Sequence, residues 1–208
     1  MTKQQTILFF TRYPLPGASK TRLIPALGSR GAADIHRQMT QLMLGTLLTC
    51  GSYHLKICYA GGTLPLMRDW LGDELSYSRQ TSGDLGERMR EALISQHQQN
   101  RPVCLVGSDC PHLSCDIITE AFSALFQHDL VIGPSYDGGY YLIGCSPALD
   151  SRFIPALFKD VTWGDECVLE QTIQIINRAG KSLHLLPRLH DIDTPEDLRY
   201  FSYHPGTE

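Results

Sequence analysis

An α/β fold built on a mostly parallel sheet is what this chain predicts, and three observations carry the prediction. Its 208 residues suffice for one sizeable domain, residues 1–208, and are too few for two ordinary ones. From the N-terminus, β-like apolar runs alternate with helical periodicity, an order that implies parallel pairing through right-handed crossovers. In mid-chain, Val103-Cys-Leu-Val runs into Gly-Ser-Asp-Cys-Pro. This short apolar run delivers a carboxylate, Asp109, to the place where a parallel strand ends and open α/β sheets bind ligands.

The elements follow in order. Thr6 to Thr11 is a β-favouring run, and the loop after it carries Arg12, Gly17, Lys20 and Arg22. A nucleoside-triphosphatase P-loop is excluded, because its glycines would fall at Pro14 and Ser19. Lys20 and Arg22 still suit a diphosphate, the guanidinium as a planar fork and the ammonium as a point charge. Ile35, Met39, Leu42, Met43 and Leu47 share one face of a helix over 31–50, followed by a strand over 54–60 and a short helix over 64–71. Gly83 and Asp84 precede a helix to about Gln98; the glycine allows close approach to a ligand such as a nucleobase, and Asp84 also suits a helix cap.

A helix over 116–126 leads to a strand over 130–133. Asp137-Gly138-Gly139 then has hairpin chemistry, a tight turn that would hold Asp137 toward a ligand beside a glycine pair flanked by tyrosines, a narrow surface for a sugar. A short apolar segment covers 153–158. Asp165 caps a helix that runs through Asn177, and Trp163 suits a core anchor or the wall of an acceptor site. After a last strand over 182–186, Thr194, Pro195, Glu196 and Asp197 form a capped helix start, and 202–208 reads as a frayed tail.

Composition narrows the function classes. A net charge of −4 with 42% apolar and 19% charged residues fits a globular chain and argues against a general nucleic-acid binder, which would show a basic face. No apolar stretch approaches the roughly 18 residues of a membrane span, and no signal peptide is legible, so a cytoplasmic protein is expected. Seven scattered cysteines without a C-x-x-C pair point to reduced thiols. Cys110, His112 and Cys115 lack a fourth ligand, which argues against zinc.

Two places point to a divalent cation. Asp109 is one; Asp191 and Asp193, separated by one residue and next to His190, are the other. Anions that a fold keeps together repel one another unless a cation joins them, and carboxylate oxygens suit Mg²⁺ or Mn²⁺.

Five segments in order, F-F-T-R-Y-P-L-P-G-A-S-K-T-R-L (9–23), G-D-L-G-E-R-M (83–89), V-G-S-D-C-P (106–111), G-P-S-Y-D-G-G-Y-Y-L-I-G (133–144) and D-I-D-T-P-E-D-L (191–198), resemble a group of GT-A-type glycosyltransferases, some of whose members are named for arsenosugar biosynthesis. The resemblance spans about residues 6–201. It implies a three-layer α/β/α sandwich of the nucleotide-diphospho-sugar transferase type, GT-A-like and Rossmann-like, related to nucleotidyltransferases. It also implies metal-dependent movement of a sugar from a nucleotide-sugar donor to a small-molecule acceptor. By position, Lys20 and Arg22 would meet donor phosphates, Asp109 would be the first metal ligand, Asp193 would close the metal site, and Asp137 would face sugar or acceptor. On chemistry alone, Asp137 or His190 suits a base for the acceptor hydroxyl. The chain departs from the group's relatives in holding Pro111 where many GT-A enzymes have the second acid of D-x-D, so a distant carboxylate is required. Nucleotidyl transfer to a phosphorylated small molecule and non-catalytic nucleotide binding are the alternative readings.

Overall fold

The structure is a computed structural model that describes residues 5–97 and 101–204. The sheet has seven strands: β1 (Thr6–Arg12), β2 (His54–Ala60), β3 (Ser76–Arg79), β4 (Val103–Gly107), β5 (Leu130–Pro134), β6 (Tyr140–Cys145) and β7 (Leu183–Leu185), in the order β3-β2-β1-β4-β6-β5-β7. All pairings are parallel except those of β6, which runs antiparallel to both β4 and β5. This is the mixed, mostly parallel sheet the sequence predicts.

Helices cover both faces, which is why the inner strands are apolar throughout rather than alternating. Successive β1 side chains point to opposite faces. Ile7 and Phe9 enter a core with Met43 and Leu47 of α1 (Ile24–Thr49), Met67 of α2 (Leu64–Leu71) and Ile118 of α4 (Cys115–Ala124). Leu8 and Phe10 enter another with Met89 and Leu93 of α3 (Leu85–His97), Ile154 of α5 (Ile154–Leu157) and Ile176 of α6 (Val168–Arg178). Ile7, Phe9, Met43, Met67, Leu93 and Ile176 have no exposed surface, and burying each such side chain contributes about 1.5–3 kcal/mol.

The structure also differs from the sequence reading in several elements. α1 carries a short helical piece ahead of the predicted helix, the two parted at Gly28, whose φ of 69° and ψ of 169° are not helical, so the continuous helix starts close to the predicted position. β3 went unpredicted because Ser-Tyr-Ser-Arg at the sheet edge has no apolar run. Cys50 and Cys115 form a disulfide with Cα atoms 4.7 Å apart, correcting the expectation of reduced thiols throughout; the end of α1 and the start of α4 meet although 65 residues separate them, which spacing along the chain does not reveal. Cys115 is thereby spent, apart from Cys110, which is buried as a free thiol. The described part of the predicted frayed tail is pinned instead: the Tyr203 hydroxyl donates to Asp34 Oδ2 at 3.2 Å. Gln98, the predicted end of α3, and residues 205–208 lie outside the described residues. No described helix is long and apolar enough to cross a membrane.

Candidate functional site at the carboxyl edge of the sheet

β1 ends at Arg12, and the loop that follows is fixed from inside. The Arg12 carbonyl meets His36 Nε2 of α1 at 3.0 Å, the Thr11 and Thr40 hydroxyls pair at 3.2 Å, and Ser19 is wholly buried. Arg12 itself bonds back to the Ala18 carbonyl at 2.6 Å. The loop closes on Lys20 in a left-handed conformation (φ 48°), sparsely populated by side-chain-bearing residues. That turn sends the Lys20 ammonium into the cleft with only 5% of the side chain exposed.

Asp109 comes from the end of β4. The 191–193 segment is brought to it by main-chain hydrogen bonds: after β7, Leu189 N donates to the Pro134 carbonyl at 3.1 Å, and Ile192 N donates to the Asp109 carbonyl at 2.9 Å. Ile192 is fully buried and fastens the segment from below. Asp193 N and Thr194 N then donate to the Asp197 carboxylate, which caps the 3₁₀ turn Pro195–Tyr200. The two acidic segments therefore meet, with Lys20 Nζ 2.6 Å from Asp109 and 3.7 Å from Asp193. Arg22 reaches Asp193 at 2.7 Å.

Electrostatics follow the geometry. Burial acts to lower the Lys20 pKa, but Asp109, Asp193 and Asp191 outweigh it, and the ammonium is held charged above its ordinary value. Enclosure in the cleft would raise the Asp109 carboxyl, although about half of its side chain (52%) is exposed, yet Lys20 first and His36 next hold it below its ordinary value. Asp191 has no ion-pair partner among the described residues; burial, then the nearby Asp137 and Asp197 carboxylates, push it up to about 6.

Three adjoining cavities surround this cluster. The first, about 340 Å³, is lined by Arg12, Lys20, His36, Gln80, Arg88 and Asp109 among others. The second, about 420 Å³, lies beyond Asp109 and is walled by Tyr140, Trp163, Asp137, Asp165, Glu166 and Asp191. The third, about 300 Å³, lies beside Asp137 and Asp191 under Tyr136, His190 and Tyr200. His190 is sandwiched between those tyrosines, with ring centroids 4.1 and 3.7 Å away and planes within 14°.

The structure thus gathers Arg12, Lys20, Arg22, Asp109, Asp137, Gly139, Asp191 and Asp193 around one cleft, with His190 at its margin; Arg22, expected beside Lys20 at the donor phosphates, lines the second and third cavities and not the first. Gly17, Gly83 and Asp84 do not line the three cavities. Asp84 forms a capping box with Glu87: Glu87 N donates to Asp84 Oδ1 at 2.8 Å and Asp84 N to Glu87 Oε2 at 3.0 Å. Gly138 serves packing, as its added Cβ would stand 1.9 Å from the Glu166 carbonyl oxygen. The Asp137 carboxylate accepts from Ser135 Oγ and from Gly139 N, which fixes its direction.

Sequence reasoning missed His36, Gln80 and Arg88. Arg88 lies inside the 83–89 segment singled out above, four residues after the capping Asp84, and donates to Gln80 Oε1 at 3.0 Å. A lone helical histidine such as His36 gives no signal of its own. Asp165 and Glu166 read as a helix start, but Asp165 is not the cap: α6 starts at Val168 with Cys167 at its N-cap and no side-chain cap, and Asp165 only accepts from Cys167 N at 3.3 Å ahead of it.

A family model described as an uncharacterized protein conserved in bacteria, DUF2064, matches residues 43–165. No curated protein matches the chain. Among solved structures, a protein of Desulfovibrio desulfuricans G20 provisionally named a nucleotide-diphospho-sugar transferase is 38% identical, with a TM-score of 0.87 over 95% of this chain and 85% of that one. The 4-diphosphocytidyl-2C-methyl-D-erythritol synthase of Anaerococcus prevotii shares the fold at 14% identity, with a TM-score of 0.59 over 95% and 94% of the two chains. Rv0371c of Mycobacterium tuberculosis, solved in complex with manganese, does so at 15% identity, with a TM-score of 0.57 over 96% and 97%.

Proposed function

The chain belongs to the DUF2064 family of uncharacterized proteins conserved in bacteria, and from that premise we propose that it moves a sugar from a nucleotide-diphospho-sugar to a small-molecule acceptor with the help of a divalent cation. One observation carries the reading: Lys20, Asp109 and Asp193 converge at the carboxyl edge of the sheet beside a cavity with further cations at Arg12 and Arg88. The provisional name of the 38%-identical neighbour agrees with it.

In this reading the donor lies in the first cavity. Lys20 leaves its carboxylates for phosphate oxygens, and Arg12 and Arg88 hold the diphosphate from the side, where fixed cations stabilise charge building on the leaving group. Asp109, Asp191 and Asp193 would hold Mg²⁺ or Mn²⁺. Their oxygens are the right donors, and the Lys20 ammonium stands in for a cation between two of them. Among the described residues no three His, Cys, Asp or Glu side chains are grouped to hold a metal ion, so the three do not act together as a cage; an ion would take one or two of them and complete its shell with substrate phosphates. When bound, the ion adds Lewis-acid neutralisation of the diphosphate.

Asp137 is the better placed of the two candidate bases. It lines the second cavity, next to the donor cleft, and is oriented by Ser135 and Gly139, whereas His190 lines only the third cavity. A carboxylate in hydrogen-bond reach of an acceptor hydroxyl can take its proton as the oxygen attacks the sugar.

The test is a thermal-shift panel of sugar nucleotides and nucleoside triphosphates, each with and without Mn²⁺ or Mg²⁺. A ligand that binds only the folded chain raises its apparent stability, by about 2.7 kcal/mol at one hundred times Kd. The expected result is a cation-dependent shift with a sugar nucleotide, followed by release of nucleoside diphosphate in turnover. Pyrophosphate release from a nucleoside triphosphate would establish nucleotidyl transfer instead.

A further inference from the structure

The second cavity differs in charge from the first, and we infer that it admits an uncharged or cationic polyhydroxy acceptor, a sugar, polyol or amino sugar, and excludes phosphorylated or carboxylated ones. This deepens the transfer reading and rests on it. Setting aside the candidate cation ligands Asp109, Asp191 and Asp193, the second cavity still presents Asp137, Asp165 and Glu166. None of the three has an ion-pair partner among the described residues. Arg22, the cation among the lining residues, is already held by Asp193 at 2.7 Å.

The main chain that carries the acidic wall is closely packed. Glu166 packs so closely on the β5–β6 turn that only glycine fits at 138, and Leu169 N donates to the Gly138 carbonyl at 2.9 Å. On the other side Trp163 lies against Gly86, where an added Cβ would stand 2.3 Å from the indole nitrogen. The turn bearing Asp137 and the segment bearing Asp165 and Glu166 therefore pack main chain against main chain, with the three acidic residues exposed along the cavity. Tyr140 and Trp163, edge to face at 6.5 Å, supply apolar surface for the C–H face of a sugar ring.

A cleft lined by one sign of charge concentrates the opposite sign and repels its own. Hydroxyl and ammonium groups donate to carboxylates, and hydrogen bonds to an ionised acceptor are about twice as strong as neutral ones. A phosphate ester brings negative charge and no matching donor. The same wall counts against nucleotidyl transfer to a phosphorylated acceptor.

The experiment first loads the first cavity with the nucleoside diphosphate and Mn²⁺ that give the largest thermal shift, then titrates glucosamine, methyl glucoside and glucose 6-phosphate. Glucosamine and methyl glucoside should bind at least about tenfold more tightly than glucose 6-phosphate, within the range that charge focusing supplies. In the double variant Asp165→Asn with Glu166→Gln, the glucosamine and glucose 6-phosphate affinities should converge to within about threefold, largely by tighter binding of the phosphate ester. Glucose 6-phosphate binding as tightly as glucosamine in the unmodified protein, or equal or absent responses to all three probes, overturns the inference. Failure of the nucleotide and Mn²⁺ shift itself counts against the donor reading instead, so the two outcomes are separable.

Discussion

The two cavities that meet at Asp109 are built in different ways. The first sits on the ends of β1 and β4, strands buried on both faces, and its loop is tied to α1 by the contacts of Arg12 with His36 and of Thr11 with Thr40. The second is made of connections, the β5–β6 turn and the segment before α6, and is held by glycines that let backbone and indole approach. The first gathers cations and the second gathers carboxylates. A donor diphosphate asks for the same charges whatever sugar it carries, so it belongs on the rigid strand ends. Acceptor choice belongs on loops, which can change without disturbing the sheet.

Asp109→Asn should give the largest effect, because this carboxylate stands where the two halves meet. Transfer or donor hydrolysis should fall on the order of 10²–10³-fold in a steady-state assay, the usual loss when a group stabilising transition-state charge is removed. A loss confined to acceptor-dependent turnover would move Asp109 out of the donor half.

Gly138→Ala acts on the second cavity alone. Its Cβ would meet the Glu166 carbonyl at 1.9 Å, and the native φ is 90°. Denaturant unfolding should show a loss of about 3 kcal/mol from overpacking and backbone strain, and any folded remainder should keep its nucleotide shift. Loss of nucleotide binding in that remainder would mean the halves are not independent.

Asp191→Asn should give the smallest effect and sharpen the electrostatic contrast. The folded chain holds the Asp191 proton up to about 6, through burial and then Asp137 and Asp197, against 3.8 for the free group. Between those values the folded state binds more protons than the unfolded, so stability falls as pH rises through the window and the penalty persists above it. Each unit corresponds to about 1.4 kcal/mol; halved for partial exposure, the variant should gain about 1–2 kcal/mol at pH 7.5 and almost nothing at pH 4 by urea unfolding.

Much of the fold was legible in the sequence because the buried strands Thr6–Arg12 and Val103–Gly107 are continuous apolar runs and α1 keeps one apolar face. The edge strand at 76–79 was not legible, since a polar four-residue strand is defined by its partner β2 rather than by its own pattern. In the site, charges at strand ends could be read: Lys20, Asp109 and the 191–193 pair. What escaped was long-range. The Cys50–Cys115 bridge joins two helix ends, Arg88 reaches the first cavity from beyond a capping box, and the wall of Asp165 and Glu166 exists only because Gly138 admits it. Periodicity reports which face is buried, and it carries no information on which distant segments share a cleft.

The most direct measurement is Mn²⁺ binding, followed by electron paramagnetic resonance, to the protein alone and with a saturating nucleoside diphosphate, repeated for Lys20→Met. If Lys20 neutralises the carboxylates until phosphates draw it away, the unmodified protein should bind Mn²⁺ weakly alone and at least about tenfold more tightly with nucleotide, a gain of about 1.4 kcal/mol. Lys20→Met should bind Mn²⁺ more tightly than the unmodified protein when nucleotide is absent. Mn²⁺ affinity indifferent both to nucleotide and to Lys20 would contradict a site in which the ammonium, the carboxylates and the donor phosphates share one position.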